Sequence, residues 1–253
     1  MSMKRIDSGK RIRVYLMVGV VIQIISTALF FVSYFKMRES SKSNIMQFTD
    51  THMTQLQKDF SENRIFIENE LLSDPDTRLL FHKTGLEYVK AIGELQTYFR
   101  IAAQTNDNRY FFFVYDQKTE RFIELTRVSI PFSAYRKIRP ELTRVIRSGV
   151  QNGLWTLNDA DGQRFVQSSW TYGDFTLGVW GYEKTLLENV SHLDYGKNGG
   201  ASFVLKQAAE ENKGPKFFKR TLTYDFSFSD IDADFSAEFT LDQHLFFRSL
   251  FWI

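Results

Sequence analysis

The stretch LWTLNDADGQRFVQSSWTYGDFTLGVWGY, residues 154–182, decides the fold of this chain. It contains three short runs rich in β-branched and aromatic residues, a composition typical of strands. These runs are residues 154–157, 164–171 and 175–182. Residues 159–162 and 172–174 separate them, and their Asp and Gly residues favour turns. The stretch therefore predicts a three-strand antiparallel meander.

A hairpin and a helix precede this meander. Residues 110–115 and 121–126 are apolar and aromatic, and the segment DQKT at 116–119 joins them as a turn. Residues 131–148 have a helical pattern that Gly149 stops. Two strands, a helical crossover and a three-strand meander are the order of a PAS-like antiparallel sheet.

Two long helices are predicted before the sheet. Residues 38–72 contain no Gly or Pro, and residues 79–103 follow a break at 73–76 in which Asp74 or Asp76 can cap the second helix. Each helix carries an apolar stripe at helical spacing, and we expect the two stripes to cover one face of the sheet. The stripes are Ile45, Phe48, Leu56, Phe60, Ile67 and Leu71, then Leu86, Val89, Ile92, Leu95 and Phe99.

A second, shorter β-rich region follows the sheet. Residues 183–195 are helical in pattern and end at Gly196. Residues 201–205, 217–228 and 234–241 are predicted strands, with a polar connection at 206–216. The region is too short to repeat the first lobe. The predicted fold is therefore α+β: an N-terminal transmembrane helix, long helices packed on an antiparallel PAS-like sheet, and a second abbreviated β-rich lobe.

The N-terminus predicts a membrane anchor. Residues 14–35 are 22 residues without an acidic or basic side chain, after 13 residues with five basic and one acidic side chain. A helix of that length covers roughly 30 Å, the thickness of the hydrocarbon core. The basic residues place the N-terminus in the cytoplasm and residues from about 36 outside, so membrane lipid is an expected partner. A cleaved signal peptide has a shorter apolar region, and a buried core helix rarely stays free of charge for so long.

Charge and cysteine content exclude several classes. The whole chain carries +2 and residues 1–13 carry +4, so residues 14–253 sum to −2 and no nucleic-acid partner is expected. With no cysteine, the chain has neither disulfides nor thiolate metal sites. The four histidines, His52, His82, His192 and His244, stand far apart, and the Asp residues at 159, 161, 230, 232 and 234 fit solvated turns better than a calcium loop. No catalytic motif occurs, so we expect no metal, no cofactor and no enzyme within this chain.

Two glycine motifs carry a family resemblance. Residues 178–183 read GVWGYE, and residues 196–205 read GKNGGASFVL at the expected distance after them. Together with Tyr115-Asp116 at the end of the first strand, they resemble the extracytoplasmic double Cache sensor family over roughly residues 38–245. Glu183 stands where the family usually has Asp. The Tyr-x-Arg-x-x-Trp signature of amino-acid-binding members is absent, so the resemblance implies no amino-acid ligand.

The resemblance implies that this chain is the sensing part of a larger signalling protein. Similar proteins continue through a second membrane helix into a histidine kinase, a chemoreceptor or a cyclic-dinucleotide module, and this chain is most like the N-terminal part of a sensor histidine kinase. Residues 245–253 are abruptly apolar, too few to cross a bilayer alone. We expect them to begin a second span; the alternative is an end in the interface with Arg248 reaching the headgroups.

The candidate ligand-binding residues are mostly aromatic. A small-ligand site would lie between the sheet and its loops, apolar with a few polar groups. Alternation puts Trp180 and Tyr182 on one face of the last strand, and Trp170 on one face of its neighbour. The alternative is that these rings are core. The predicted ligand-binding residues are Tyr110, Arg121, Trp155, Arg164, Gln167, Trp170, Trp180 and Tyr182.

The leading functional hypothesis is a membrane-anchored sensor that binds a small-molecule ligand outside and shifts its juxtamembrane helices. One alternative is a protein-docking module, or a homodimer formed through residues 40–72. A pilin-like subunit is disfavoured because Gly9 precedes two basic residues and the apolar run has no Glu. The predicted segments are a leader at 1–13, a span at 14–35, helices at 36–104, a membrane-distal lobe at 105–195, a membrane-proximal lobe at 196–244 and a second span beginning at 245–253.

Overall fold

A computed structural model of the chain describes residues 8–73, 83–105, 109–126, 129–149, 152–188, 201–207, 221–228 and 231–242. The chain divides into two compact units, Met1–Phe48 and Thr49–Ile253. Several predictions lie outside the described residues: the cap at 74–76, the second glycine motif at 196–200, the polar connection at 208–216, the apolar segment at 245–253, and His82, His192 and His244.

The first unit contains the N-terminal part of helix α1, which spans Ser8–Ile65. Within residues 14–35 every side chain is exposed except that of Tyr34, which is half-buried. Among the described residues, this is one helix whose length and composition would allow it to cross a membrane. The helix fits the predicted membrane anchor.

In the second unit, α1 and its continuation bury a stripe of side chains at helical spacing. The stripe confirms the predicted pattern from residue 56 onward, whereas the side chain of Ile45 lies outside the described part of the chain. It consists of Met53, Leu56, Phe60, Ile67 and Leu71.

The chain continues from α1 into a π-helical segment, Phe66–Leu71, where the sequence predicts an ordinary α-helix. The Leu72 N–H donates to the Ile67 carbonyl at 2.9 Å, five residues back, which is the wider ring of a π turn. The wider turn keeps Ile67 and Leu71 on the same buried side.

Helix α2 spans Gly85–Thr105 and corrects the predicted stripe. Leu95 and Phe99 are buried as expected, but Leu86 is 72 % exposed and Val89 is 64 % exposed. Leu86 and Leu95 are nine residues apart, or about two and a half turns, so they face opposite sides of the helix. Steps of three residues drift around a helix, and only the C-terminal half of the predicted stripe reaches the core.

Five antiparallel strands form the main sheet, in the order β2-β1-β5-β4-β3. Helix α3, Phe132–Arg147, connects β2 to β3. The predicted hairpin, crossover and meander are thus confirmed, as is the α+β class. The strands are β1 Tyr110–Asp116, β2 Arg121–Glu124, β3 Thr156–Ala160, β4 Gln163–Tyr172 and β5 Phe175–Tyr182.

The third strand lies later than residues 154–157, where the sequence predicts it. Ala160 pairs with Gln163, so the hairpin turn contains only Asp161 and Gly162. Their φ angles are +52° and +76°, and positive φ at both central residues defines the type I′ turn that matches strand twist. The tight turn lets β3 run to residue 160.

Alternation divides the main sheet into two covered faces. The α1 face includes Tyr110, Phe112 and Val179 and packs against α1 and α2. The α3 face includes Phe111, Phe165 and Trp180 and packs against α3. Residues one apart on a strand point to opposite faces, so each strand contributes to both layers.

A second antiparallel sheet has the order β6-β8-β7. Its strands are β6 Ala201–Gln207, β7 Thr221–Ser227 and β8 Phe235–Asp242. Of the predicted helix at 183–195, a short helix α4 at Glu183–Leu186 is described, and residues 189–195 lie outside the described residues.

The segment before β8 bonds to the main sheet. The Trp155 N–H donates to the Asp232 carbonyl at 2.8 Å, and the Asp234 N–H donates to the Trp155 carbonyl at 3.0 Å. The Asp234 carboxylate accepts the Leu157 N–H at 2.9 Å. Asp234 is therefore a structural acceptor between the lobes, and the predicted solvated-turn role is wrong for it.

Candidate functional site

The predicted ligand-binding residues do not meet in one place. Tyr110, Trp155 and Trp170 lie on the α1 face, whereas Trp180 and Tyr182 lie on the α3 face. Gln167 pairs with Trp180 across β4 and β5 and shares its face. Arg121 is exposed on the edge strand β2, and Arg164 contacts Glu183. The ligand-binding role of all eight residues stays a prediction.

On the α3 face, one cross-strand row joins Phe111, Trp180, Gln167 and Thr156. Gln167 and Trp180 are fully buried at its centre. Among the described residues, both polar atoms of the Gln167 amide and Nε1 of Trp180 lack a hydrogen-bond partner. A buried polar group without a partner costs about 1–3 kcal/mol, so such a group calls for a physical explanation.

Aromatic rings hold Trp180 in place. Its ring stacks on that of Phe111 with centroids 4.1 Å apart and planes 5° apart, and the edge of Phe165 meets it at 6.1 Å. The Tyr182 hydroxyl donates to Oε1 of Gln163 at 2.7 Å. The indole is thus oriented by packing, while its buried N–H has no hydrogen-bond partner among the described residues.

Helix α3 covers this row because its apolar residues recur every four positions. Ala134, Ile138, Leu142 and Ile146 are buried against the sheet. Pro131 precedes the helix with φ −57°, and its missing N–H costs nothing at a helix start. The outer side of α3 is polar, so this helix is amphipathic and lies over the site on one face only.

On the α1 face, three further polar atoms of the sheet lack partners among the described residues: the Tyr110 hydroxyl, the Ser168 hydroxyl and Nε1 of Trp155. Phe60 of α1 packs against both rings, with centroids 6.0 Å from Tyr110 and 4.5 Å from Trp155. Burial raises the pKa of Tyr110 well above its ordinary value, and the nearby Asp59 carboxylate raises it further. Asp59 bonds to Arg109 at 2.8 Å, so this face buries an ion pair beside the rings.

Trp170 has a structural contact that the sequence does not reveal. Its Nε1 donates to Oε1 of Glu68 in the π-helical segment at 3.0 Å, and the same oxygen accepts Nε of Arg64 at 3.0 Å. Gly153 lies against this contact with φ +83°, and a Cβ there would stand 3.0 Å from the Glu68 oxygen. Glu68 and Gly153 complete the contact, and only the Asn152-Gly153 turn composition could have suggested the second of them.

Glu183 joins the two lobes. Its carboxylate accepts the Leu205 N–H of β6 at 2.8 Å and lies 3.4 Å from the Arg164 guanidinium. Burial raises the pKa of Glu183, and the Leu205 N–H and Arg164 oppose that rise. Arg164 therefore has a partner inside the molecule.

The chain was compared with protein-family models, curated proteins and solved structures. No family model matches the chain. No curated protein matches it either. Among solved structures, the chain is similar to the periplasmic domain of LuxQ from Vibrio cholerae, at 13% sequence identity and a TM-score of 0.35, over 78% of this chain and 94% of that one.

Proposed function

We propose that this chain is the input part of a membrane-anchored sensor that binds a small solute beneath helix α3. The observation that carries the proposal is the fully buried Gln167 amide, unpaired among the described residues, on the cross-strand partner of Trp180, whose N–H is equally unpaired. A bound solute would supply the hydrogen bonds that these groups lack. In this proposal the charge-free helix anchors the chain, with residues from about 36 on the outer side.

Strand β4 offers a route from the site to helix α1. Gln167 and Trp170 lie on the same strand but on opposite faces, and Trp170 bonds to Glu68 at 3.0 Å. A shift of β4 on binding would move the indole against the π-helical segment, which directly follows α1. The solute can shift this equilibrium only through different affinities for the two states.

We propose a sensor histidine kinase as the parent protein, because the two glycine motifs resemble those of Cache input domains. A chemoreceptor or a cyclic-dinucleotide enzyme is the alternative output. The coding sequence beyond residue 253 tests this: about 20 apolar residues followed by a kinase module support the proposal, and a different module overturns that part of it.

Solute binding is tested with the full chain in lipid nanodiscs. Trp155, Trp170 and Trp180 are all buried, so tryptophan fluorescence follows melting of the main sheet. We expect at least one member of a broad metabolite library to raise the melting temperature of the wild type. The same compound should leave the melting temperature of Gln167→Met unchanged. Tyr110→Phe is the matched control because it removes an unpaired buried group on the other face. If no compound stabilises the wild type, the proposal fails.

The outer side of α3 favours a second candidate function, the docking of an acidic protein. Arg136, Lys137, Arg139 and Arg144 are exposed there, although residues 14–253 sum to −2. Phe132, at the start of the helix, is 72 % exposed. Arginine and aromatic side chains are enriched at protein interfaces. Replacing Arg136 and Lys137 by Glu would abolish signalling without changing solute binding if docking, rather than the solute, starts the signal.

We also propose a homodimer through residues 40–72. The chain has no native cysteine, so single substitutions can be cross-linked without background. Thr54, Lys58 and Ile65 are exposed on α1, whereas Phe60 is fully buried. Cross-linking at the three exposed positions but not at residue 60 supports a dimer, and equal absence at all four overturns it.

A further inference from the structure

We infer that the solute held by Gln167 and Trp180 is an uncharged molecule with a carboxamide-type group: an amide, a lactam, a urea or an imide. This inference rests on the proposed solute site and names the ligand class of that site.

The unpaired groups define what the ligand must offer. The Gln167 amide has two N–H donors and a carbonyl acceptor, and Trp180 adds one N–H donor. One ligand carbonyl has two lone pairs, so it can accept both from Gln167 and from Trp180. A ligand N–H beside that carbonyl can donate to Oε1 of Gln167. A carboxamide presents this carbonyl and N–H side by side, and the two amides then form a paired, two-bond contact.

The charge around the site favours a neutral ligand. By strand register, the α3 face carries one acidic or basic residue within the five strands, Glu124 on β2. Strands β1 and β5 separate it from Gln167, a distance of roughly 14 Å or more at the usual strand spacing. Two arginines reach this face from α3. Arg139 lies over the Phe122 ring of β2, 5.6 Å from its centroid, and Arg147 donates to the Tyr115 hydroxyl at 2.8 Å and lies 2.9 Å from Glu120.

A charged ligand at Gln167 would lose its hydration without gaining an opposite charge. Transferring an ion into an apolar environment costs far more than transferring an amide, whose hydrogen bonds the site can replace. A carboxylate is a poor fit for a second reason: it has no N–H to donate to Oε1 of Gln167, so that buried oxygen would stay unpaired. Both arguments point to the amide rather than to the acid of the same shape.

The test uses matched pairs that differ only in charge and in the N–H group: nicotinamide with nicotinate, and benzamide with benzoate. The full chain in nanodiscs is titrated with each compound while tryptophan fluorescence and melting temperature are recorded. We expect the amides to bind and the acids to bind at least tenfold more weakly. Gln167→Met, which keeps the length of the side chain, should weaken amide binding at least tenfold, and Tyr110→Phe should leave it unchanged. If Gln167→Met does not fold, Trp180→Phe keeps a stacked ring without the N–H and should weaken amide binding as well.

The outcomes separate this inference from the proposed function. If the acids bind as tightly as the amides, and Gln167→Met removes both, the solute site stands and the neutral class is overturned. If other library compounds stabilise the wild type through Gln167 while neither member of either pair binds, the carboxamide class fails and the sensor proposal stands. If no compound binds and Gln167→Met is more stable than the wild type, the buried amide is a packing feature and both fail.

Discussion

The two faces of the main sheet are both covered by helices, yet they differ in how their buried polar groups are satisfied. On the α1 face, Asp59 bonds to Arg109 and Trp170 bonds to Glu68, and these contacts tie the sheet to the long N-terminal helix. The Tyr110 hydroxyl and Nε1 of Trp155 lie on the same face without a partner among the described residues. On the α3 face, Gln167 pairs with Trp180 across the two central strands, and among the described residues neither the amide nor the indole N–H has a partner.

The difference separates a structural layer from a candidate ligand layer. Charged contacts on the α1 face join segments that are far apart in the sequence, and their loss should lower the free energy of unfolding substantially. The α3 face is covered by one amphipathic helix of 16 residues, and no ion pair among the described residues lies at its centre. Substitutions on the two faces should therefore change stability and binding in different ways.

The largest effect is expected from Asp59→Leu on the α1 face. The side chains of Asp59 and Arg109 are 3% and 16% exposed, so the substitution leaves a nearly buried guanidinium without its carboxylate. Losing one partner of a buried pair typically costs about 3 kcal/mol, which lowers the melting temperature of a domain this size by roughly 6–12 °C. Glu62→Ala is the control, because its pair with Lys58 is exposed and should contribute below about 0.5 kcal/mol. Equal melting of the two variants would contradict the structural role of the α1 face.

Gly178→Ala tests the packing of the α3 face. A Cβ at Gly178 would lie 2.3 Å from Cζ of Phe113 and 2.9 Å from the Ser168 carbonyl, so the ring must move towards α3. Overpacking of this kind costs about 2 kcal/mol, measured as a shift in the denaturant midpoint. In Gly93→Ala the new Cβ meets nothing within 4 Å, and this helix-interior control should gain about 0.5–1 kcal/mol. If Gly178→Ala leaves the stability unchanged, helix α3 can move to accommodate the displaced Phe113 ring without loss of packing energy.

Glu68→Ala should cost about 1.5 kcal/mol, because it removes the acceptor of the Trp170 N–H and of Arg64. Glu68→Gln keeps a carbonyl acceptor and should lose less than half as much. The readout is chemical unfolding together with the tryptophan emission of the chain, which should shift to longer wavelength in the Ala variant only. If the Gln variant loses as much as the Ala variant, the charge rather than the hydrogen bond stabilises this contact.

The smallest effect is a pH dependence at the joint between the lobes. Burial raises the pKa of Glu183 above its ordinary value of 4.5, so the folded state binds this proton more tightly than the unfolded state. The stability that this bound proton adds to the folded state is fully present below pH 4.5. It is lost as the pH rises through the raised pKa. Glu183→Gln removes the titration, so its stability relative to the wild type should increase as the pH rises from about 4 through the raised pKa. A constant difference across that range would contradict this origin of the shift.

The strand order and the composition of both faces could be predicted from the sequence, since they depend on local patterns. The register of β4 against β5 could have been predicted too. Tyr172 pairs with Phe175, so the hairpin loop is the two residues Gly173 and Asp174, with φ +57° at Gly173. A two-residue loop at 173–174 places Gln167 opposite Trp180. The three-residue turn assigned at 172–174 does not specify which residues of the two strands pair.

Other parts of the site could not be predicted because they depend on contacts between distant segments. Glu68 and Trp170 are 102 residues apart, and neither periodicity nor turn chemistry reports such a pair. The sequence likewise does not decide on which face of the sheet the Trp155 ring lies. Trp155 lies just before β3 and bridges to Ala233 of the other lobe, and this bridge places its ring on the α1 face.

The sequence by itself determined the charge-free apolar helix at its N-terminus, the α+β class and the alternation that divides each strand between two faces. These features depend on the nearest neighbours along the chain, through the 3.6-residue and two-residue periods of helix and strand. Only the tertiary structure decided that the eight predicted ligand residues separate into two layers. It also decided that Gln167 and Trp180 are buried without partners among the described residues, because hydrogen-bond satisfaction depends on every element packed around a group.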